Sequence, residues 1–158
     1  MALTILSGGQ TGVDRAALDA ALENGLPAGG WCPEQRLAED GRIPEHYPLR
    51  ELPGAGYLQR TEQNVIDSDA TLIVHFGRLQ GGTARTQEFC HTYDKPLLLI
   101  DGSYVAECEA VLMLREFILG NQITLLNVAG PRASGEAGAY AYTFALMSLL
   151  LKDHSLSA

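Results

Sequence analysis

The apolar residues of this chain fall into short continuous runs, separated by longer segments in which they recur at helical spacing. Short apolar runs bounded by glycine, proline or aspartate are typical of buried strands, whereas recurrence every three to four residues is typical of amphipathic helices. The predicted strands are residues 3–6, 29–32, 70–76, 96–101 and 123–129. The predicted helices are residues 13–22, 57–66, 88–93, 105–118 and 137–152.

This alternation of strands and helices predicts an α/β fold. Right-handed βαβ units build an open, doubly wound, mostly parallel Rossmann-like sheet with helices on both faces. We expect Ile5, Ile73, Leu99 and Leu126 to be buried in adjacent central strands. The uninterrupted apolar run at residues 97–100 is typical of a parallel strand that is covered on both faces.

A long segment without regular periodicity, residues 33–56, follows the second predicted strand. Prolines and glycines break every repeat in it, and a loop of this length in a compact domain usually covers a site or is disordered. Because the segment also carries Tyr47, Leu49 and Leu52, we predict a flap docked on the rest of the protein. Residues 153–158 are predicted to be a frayed tail.

Three of the predicted strands end in glycine-containing loops that precede a helix. These loops are residues 7–12, 79–83 and 130–135. In a doubly wound sheet they lie at the carboxyl edge of the strands, where ligands bind. Glycine lets the backbone approach a ligand closely, and the free N–H groups of a helix's first turn attract anions. The loops therefore predict a phosphate-containing ligand, with ordinary strand-to-helix turns as the alternative interpretation.

The candidate ligand-binding residues come from these loops and from the arginines beside them. They are Gly8, Gly9, Gln10, Thr11, Gly12, Gly81, Gly82, Thr83, Arg85, Gly130, Arg132 and Ser134. Arg85 and Arg132 lie just inside their loops, where a guanidinium can bind phosphate through two hydrogen bonds. A solvated or ion-paired arginine is the alternative for each of them.

Composition narrows the classes of function. The length of 158 residues is that of one domain, which we predict over residues 1–158. The net charge of -8 offers no basic field for a nucleic-acid backbone. The three cysteines and four histidines lack metal-ligand spacing, so no structural metal is expected. The start lacks the basic segment of a signal peptide, and the apolar segment 144–151 is too short to cross a membrane, so we expect a cytoplasmic location.

Five segments carry a resemblance to a known family. They are residues 8–19, 38–44, 64–65, 68–73 and 127–132, and they cover most of the chain. In these segments the sequence resembles the family of proposed molybdenum-cofactor carriers, which is related to the YpsA branch of the SLOG superfamily. The resemblance implies a Rossmann-like fold, oligomerisation, and binding of a nucleotide-like or pterin-phosphate ligand.

A more distant resemblance is to the lysine decarboxylase-like phosphoribohydrolases. It is carried by Arg60, by Ser68-Asp69-Ala70, and by the glycine-to-glutamate spacing of residues 81–88. It implies that Arg60 and Glu88 are the catalytic residues if the protein is an enzyme. Here Ala84-Arg85 replaces a Gly-Thr pair, and residues 75–80 lengthen the approach to the loop. Glu88 could instead complement the helix dipole, and Arg60 could pair with a nearby carboxylate.

Three functions remain compatible with the sequence. The first is a binding or carrier protein for a phosphorylated ligand, either the molybdenum cofactor, molybdopterin, as cargo or a nucleotide. The alternatives are an N-glycosidic hydrolase of nucleoside monophosphates and a nucleotide-sensing module. A homo-oligomer is predicted for each, because the apolar run 111–114 is too wide for one core-facing stripe of a helix.

Overall fold

The computed structural model describes residues 2–152, which contain nine strands and five α-helices. The strands are β1 (Thr4–Leu6), β2 (Ala28–Gly29), β3 (Trp31–Cys32), β4 (Leu37–Ala38), β5 (Gly41–Arg42), β6 (Arg50–Glu51), β7 (Ala70–His75), β8 (Leu97–Asp101) and β9 (Leu125–Ala129). The helices are α1 (Val13–Glu23), α2 (Tyr57–Asp67), α3 (Gly81–Thr92), α4 (Glu107–Gly120) and α5 (Ala139–Leu151). The predicted frayed tail at 153–158 lies outside the described residues.

The central sheet confirms the predicted Rossmann-like α/β fold. Its five strands have the order β2-β1-β9-β7-β8, and every neighbouring pair is parallel. The chain builds β1 and β2 on one side of β9 and then crosses to build β7 and β8 on the other. Such a reversal of strand order is where doubly wound sheets bind their ligands. Here it lies at the carboxyl ends of β1, β9 and β7.

Helices cover both faces of the sheet. On one face α5 packs between α1 and α4, and these helices bury the side chains of Ile5, Leu72 and Leu126. On the other face α2 packs against α3. The strand residues alternate between the two layers because side chains along a strand point to opposite faces. Burial of three strands between two helical layers therefore supplies the apolar core.

One predicted core residue is exposed. Ile5, Ile73 and Leu126 are completely buried, as expected, but Leu99 is 37% exposed. The reason is that β8 is an edge strand, paired only with β7, and Ile100 is its one fully buried residue. The prediction that this strand is covered on both faces was therefore wrong, since an apolar run does not distinguish an interior strand from an edge strand.

The segment 33–56 is docked and ordered, as predicted. It contains a 3-10 turn at Glu34–Arg36, the β4–β5 hairpin, and β6, which pairs with β3. Ile43, Tyr47 and Leu49 form a second apolar cluster with residues that include Leu18 of α1. The predicted strand at 29–32 is in fact two, because Ala28–Gly29 joins the central sheet and Trp31–Cys32 joins β6 instead.

The third helix starts earlier than predicted. The structure begins α3 at Gly81 rather than near Glu88, so the glycine pair forms its first turn instead of a preceding loop. Glycine has low helix propensity, which is why the sequence pattern placed the start later. Glu88 consequently lies beyond the first turns of the helix, where its charge complements the helix dipole only weakly.

Candidate functional site

A cleft of about 590 Å³ opens at the carboxyl ends of β1, β7 and β9. Of the residues predicted to bind ligand or to act in catalysis, those lining it are Gly8, Gln10, Arg60, Gly81, Gly82, Thr83, Arg85, Gly130 and Arg132. Those that do not line it are Gly9, Thr11, Gly12, Ser134 and Glu88. The three glycine loops therefore converge at one edge of the sheet, but they contribute to the cleft unequally.

The N-terminus of α3 faces the cleft. Thr83 and Ala84 donate their backbone N–H groups to the carbonyl of Gln80, at 3.1 and 3.3 Å. Within residues 2–152, no acceptor is found for the N–H groups of Gly81 and Gly82, and no side chain caps this helix. A helix start with free N–H groups attracts an anion through hydrogen bonding and through the helix dipole.

Arg60 is the most deeply placed cation of the cleft. Its side chain runs from α2 to the first glycine loop, where Nη1 donates to the Gly8 carbonyl at 2.8 Å, while Nε donates to the Tyr57 carbonyl at 3.1 Å. The residue is only 7% exposed. Among the described residues Nη2 has no hydrogen-bond partner, although Arg60 lines the cleft. A buried guanidinium with free N–H groups is suited to binding an anion.

Asp14 is the buried counterion of Arg60. Its Oδ2 lies 3.5 Å from Arg60 Nη1 and accepts a hydrogen bond from the Gln10 N–H at 3.2 Å. Burial raises the pKa of the Asp14 carboxyl to about 6, because the loss of solvation outweighs the lowering effect of Arg60 and of the backbone N–H groups. The pair fixes the floor of the cleft beside Gly8.

The first glycine loop uses its own N–H groups internally. Gly9 donates to Ser7 Oγ (3.3 Å), Thr11 donates to Gln10 Oε1 (3.1 Å), and Val13 donates to the Pro131 carbonyl (3.3 Å). Gly12 is required for this arrangement, since it has a φ of +81° and a Cβ there would lie 2.5 Å from the Pro131 oxygen. These hydrogen bonds hold the first glycine loop together and attach it to the third, so the first loop does not present an open anion site.

A carboxylate from the 33–56 segment binds to the outer side of these two loops. Glu39, at the tip of the β4–β5 hairpin, accepts hydrogen bonds from the hydroxyl groups of Thr11 and Ser134. Its Oε2 lies 3.5 Å from Arg132 Nε. These hydrogen bonds, with that of Ser134 as the largest cause, lower the pKa of the Glu39 carboxyl below its usual value.

Arg85 and Glu88 pair with each other on the surface of α3. Arg85 Nη1 donates to Glu88 Oε2 at 2.9 Å, and both side chains are more than half exposed. Arg85 lines the cleft and Glu88 does not. The hydrolase interpretation requires Glu88 and Arg60 to lie together in the cleft, and the structure does not bring them together there.

The cleft concentrates positive charge in an acidic protein. The lining contains four arginines and two carboxylates, namely Arg60, Arg78, Arg85, Arg132, Asp14 and Glu136, and His75 also lines it. The whole chain, in contrast, has a net charge of -8. A cleft whose lining has an excess of one sign of charge raises the local concentration of ligands of the opposite sign, so this arrangement favours an anionic ligand.

Several lining residues were missed by sequence reasoning. These are Asp14, Tyr57, Phe76, Arg78 and Asn127. Asn127 is buried in β9 and donates to Thr71 Oγ1 at 3.2 Å. An asparagine inside an otherwise apolar strand was the available signal, because a buried amide requires a polar partner. For Tyr57 and Phe76 the sequence offered no comparable signal, since aromatic residues are ordinary core residues.

Neither a metal cluster nor a membrane helix is found in the part of the chain that the structure describes. Residues 2–152 contain no group of three or more histidine, cysteine, aspartate or glutamate side chains arranged to hold a metal ion. None of their helices is both long enough and apolar enough to cross a bilayer.

Comparison with known proteins identifies a matching family model and a related solved structure. The sequence model of the circularly permutated YpsA SLOG family matches residues 5–151. The crystal structure of a protein from Syntrophus aciditrophicus SB, named "Putative molybdenum carrier protein", superposes with a TM-score of 0.93. That protein is 46% identical in sequence, and the match covers 95% of each chain. No functionally curated protein matches the chain significantly.

Proposed function

The chain belongs to the circularly permutated YpsA SLOG family, and from that premise we propose that it is a carrier protein for the molybdenum cofactor. The phosphate of the pterin is bound by Arg60 and the N-terminus of α3, and the rest of the ligand fills the cleft. The family and the related structure support the binding of a small ligand.

The proposal rests on two sets of free hydrogen-bond donors that line one cleft. Arg60 Nη2 and the N–H groups of Gly81 and Gly82 have no acceptors among residues 2–152, and all three residues line the same space. One phosphate group has enough oxygen atoms to accept from both sets. Since Arg60 is buried, its hydrogen bonds to the phosphate are shielded from water and are correspondingly strong, whereas Gly81 and Gly82 are exposed.

The rest of the cleft suits a flat heterocycle. Tyr57 and Phe76 provide aromatic surface in the lining, and Asn127 provides an amide. A volume of about 590 Å³ is within the range of small-molecule sites, which combine apolar walls with a few polar groups that orient the ligand. The name of the related protein from Syntrophus aciditrophicus SB supports a molybdenum-containing cargo over a simple nucleotide.

The hydrolase alternative has its catalytic carboxylate, Glu88, outside the cleft lining. Glycosidic cleavage of a nucleoside monophosphate requires a group that orients water near the bond. Glu88 is paired with Arg85 outside the cleft lining. We therefore expect no release, or very slow release, of free base from nucleoside monophosphates.

We further propose that the protein assembles into a homo-oligomer through α4. Leu112 and Leu119 on this helix are each 59% exposed, and they lie seven residues apart and so on the same side of the helix. Burial of such side chains against a second copy removes apolar surface from water.

The binding proposal is tested by calorimetric titration with molybdopterin and with AMP. We expect molybdopterin to bind more tightly than AMP, and Arg85→Gln to weaken its binding about fivefold to tenfold, because a cation of the cleft is lost. Arg42→Gln is the matched control, since Arg42 is also exposed and also pairs with a glutamate three residues later. No binding of molybdopterin by the unmodified protein would contradict the proposal, and equal binding by the two variants would exclude Arg85 from the site.

A further inference from the structure

At the rim of the cleft, on the outer side of the first and third glycine loops, a carboxylate of the protein itself accepts hydrogen bonds from a set of donors. The side chain of Glu39 accepts from the Thr11 hydroxyl, from the Ser134 N–H at 3.2 Å and from the Ser134 hydroxyl at 2.5 Å. Arg132 Nε completes the set at 3.5 Å from Glu39 Oε2. Two hydroxyl groups, one backbone N–H and one guanidinium are the kind of donors that bind a phosphate.

We propose that Thr11, Arg132 and Ser134 form a second anion subsite, from which an anionic group of the ligand, of phosphate size and charge, displaces Glu39. This inference rests on the proposed function for the nature of the ligand and adds that the ligand carries two anionic groups. The first group binds at Arg60 and α3. The second group binds at the rim and competes with the protein's own carboxylate.

The donors are oriented by contacts that do not depend on Glu39. The Ala133 N–H donates to Thr11 Oγ1 at 3.1 Å, which directs the Thr11 hydroxyl hydrogen away from Ala133 and toward Glu39. Ser134 follows in the same loop, which is held against the first glycine loop by the hydrogen bond from Val13 to Pro131. An anion that replaced the carboxylate would therefore meet donors that are already arranged to receive it.

The subsite is continuous with the main cleft. Arg132 contacts Glu39 and also lines the cleft, so one guanidinium can serve both places. Gln10 likewise lines the cleft, and its Oε1 accepts the backbone N–H of Glu39 at 2.9 Å. A ligand bound at Arg60 that extends toward Arg132 would reach the Glu39 carboxylate, and like charges would repel.

The hairpin that carries Glu39 is held both at its base and at its tip. At the base, the buried Arg36 donates to the carbonyl groups of Ile43, Pro44, Tyr47 and Leu49. At the tip, Asp40 accepts two hydrogen bonds from Arg15, whose side chain is only 12% exposed. An anion therefore needs to displace only the side chain of Glu39, while Arg36 and the Arg15–Asp40 pair hold the backbone of the hairpin in place.

The test is a titration with inorganic phosphate, followed by NMR at two backbone amides. The Ser134 amide reports the rim subsite, and the Gly82 amide reports the N-terminus of α3. Removing the competing carboxylate with Glu39→Ala is expected to make phosphate binding at Ser134 at least about tenfold tighter than in the unmodified protein. Adding Arg132→Gln to that variant should remove the gain. Glu45→Ala, which removes a different exposed glutamate of the same segment, should behave as the unmodified protein does.

The outcomes separate this inference from the proposed function. If phosphate shifts the Gly82 amide but leaves Ser134 unaffected in a folded Glu39→Ala protein, the rim subsite is rejected and the main anion site stands. If phosphate shifts Ser134 but not Gly82, the rim subsite stands and the main site is rejected. Should Glu39→Ala fail to fold, Glu39→Gln provides the same comparison, because it keeps the size of the side chain and removes its charge.

Discussion

The position of the Arg60 side chain depends on a glycine 52 residues earlier in the chain. Its guanidinium lies against the backbone of Gly8, where a Cβ would come within 2.0 Å of Nη1 and 2.7 Å of Cδ. Arginine is flexible, but Arg60 is buried and paired with Asp14, so it has little room to move away. Glycine is therefore required at position 8 because it leaves room for Arg60, and not because of the backbone conformation of the loop.

Gly8→Ala is expected to displace Arg60 and to lower the free energy of unfolding by about 1–3 kcal/mol, as overpacking of a tight site does. Urea denaturation measures the loss of stability, and a titration with molybdopterin measures the accompanying loss of affinity. The control is Gly120→Ala, which lies outside the cleft and where the new Cβ would meet nothing within 4 Å among the described residues. A Gly8→Ala protein with unchanged stability and affinity would show that Arg60 adapts without cost.

The sequence identified some members of this group and not others. Arg60 was a candidate through the resemblance to the phosphoribohydrolases, and Gly8 through its loop. The role of Asp14 could not be predicted, because its position in the first turn of α1 has a sufficient local explanation in the helix dipole. Burial beside Arg60 depends on how α1 and α2 pack, and one sequence does not contain that information.

At the scale of elements, Arg36 organises the flap. Its guanidinium is buried and donates hydrogen bonds of 2.8–3.1 Å to four carbonyl groups of residues 43–49. A segment with so little regular structure has few backbone partners for its carbonyl groups. A planar guanidinium with five N–H donors can satisfy several of them at once.

Arg36→Lys is expected to loosen the flap while the central sheet stays folded. A lysine ammonium cannot reach four carbonyl groups in this geometry, so the loss is about 3 kcal/mol of local stability, since hydrogen bonds to charged groups are among the stronger ones. Hydrogen exchange should become faster at residues 37–52 and stay unchanged in β7. Arg42→Lys is the matched control, because Arg42 is exposed and pairs with Glu45. Unchanged exchange in the flap would mean that its apolar cluster alone is sufficient.

The elements themselves were predictable to different degrees. The order of strands and helices followed from periodicity, since long periodic segments carry a strong signal. The start of α3 was wrong because Gly81 and Gly82 are poor helix formers that are retained in its first turn. The exposure of Leu99 was missed because the position of a strand within a sheet depends on the crossover connections and not on the strand's own residues.

For the whole molecule, the sequence predicted where the site would be better than how it is built. Three glycine loops at the carboxyl edge of a doubly wound sheet were enough to place the cleft. They did not reveal that the first loop binds its own N–H groups internally, or that Glu39 covers the third loop. The first feature depends on the side-chain conformations of Ser7 and Gln10, and the second on a contact with the 33–56 segment, and neither leaves a periodic signal.

The assembly of the molecule gives the last prediction. Light scattering of the unmodified protein should give a mass larger than the 17.0 kDa of one chain. Leu112→Glu combined with Leu119→Glu should reduce it to that of one chain, because a charge placed in an apolar interface loses its solvation. Leu37→Glu is the control, since Leu37 is also about half exposed but lies on the β4–β5 hairpin. A mass of 17.0 kDa for the unmodified protein would contradict oligomerisation, and an unchanged mass for the double variant would exclude α4 as the interface.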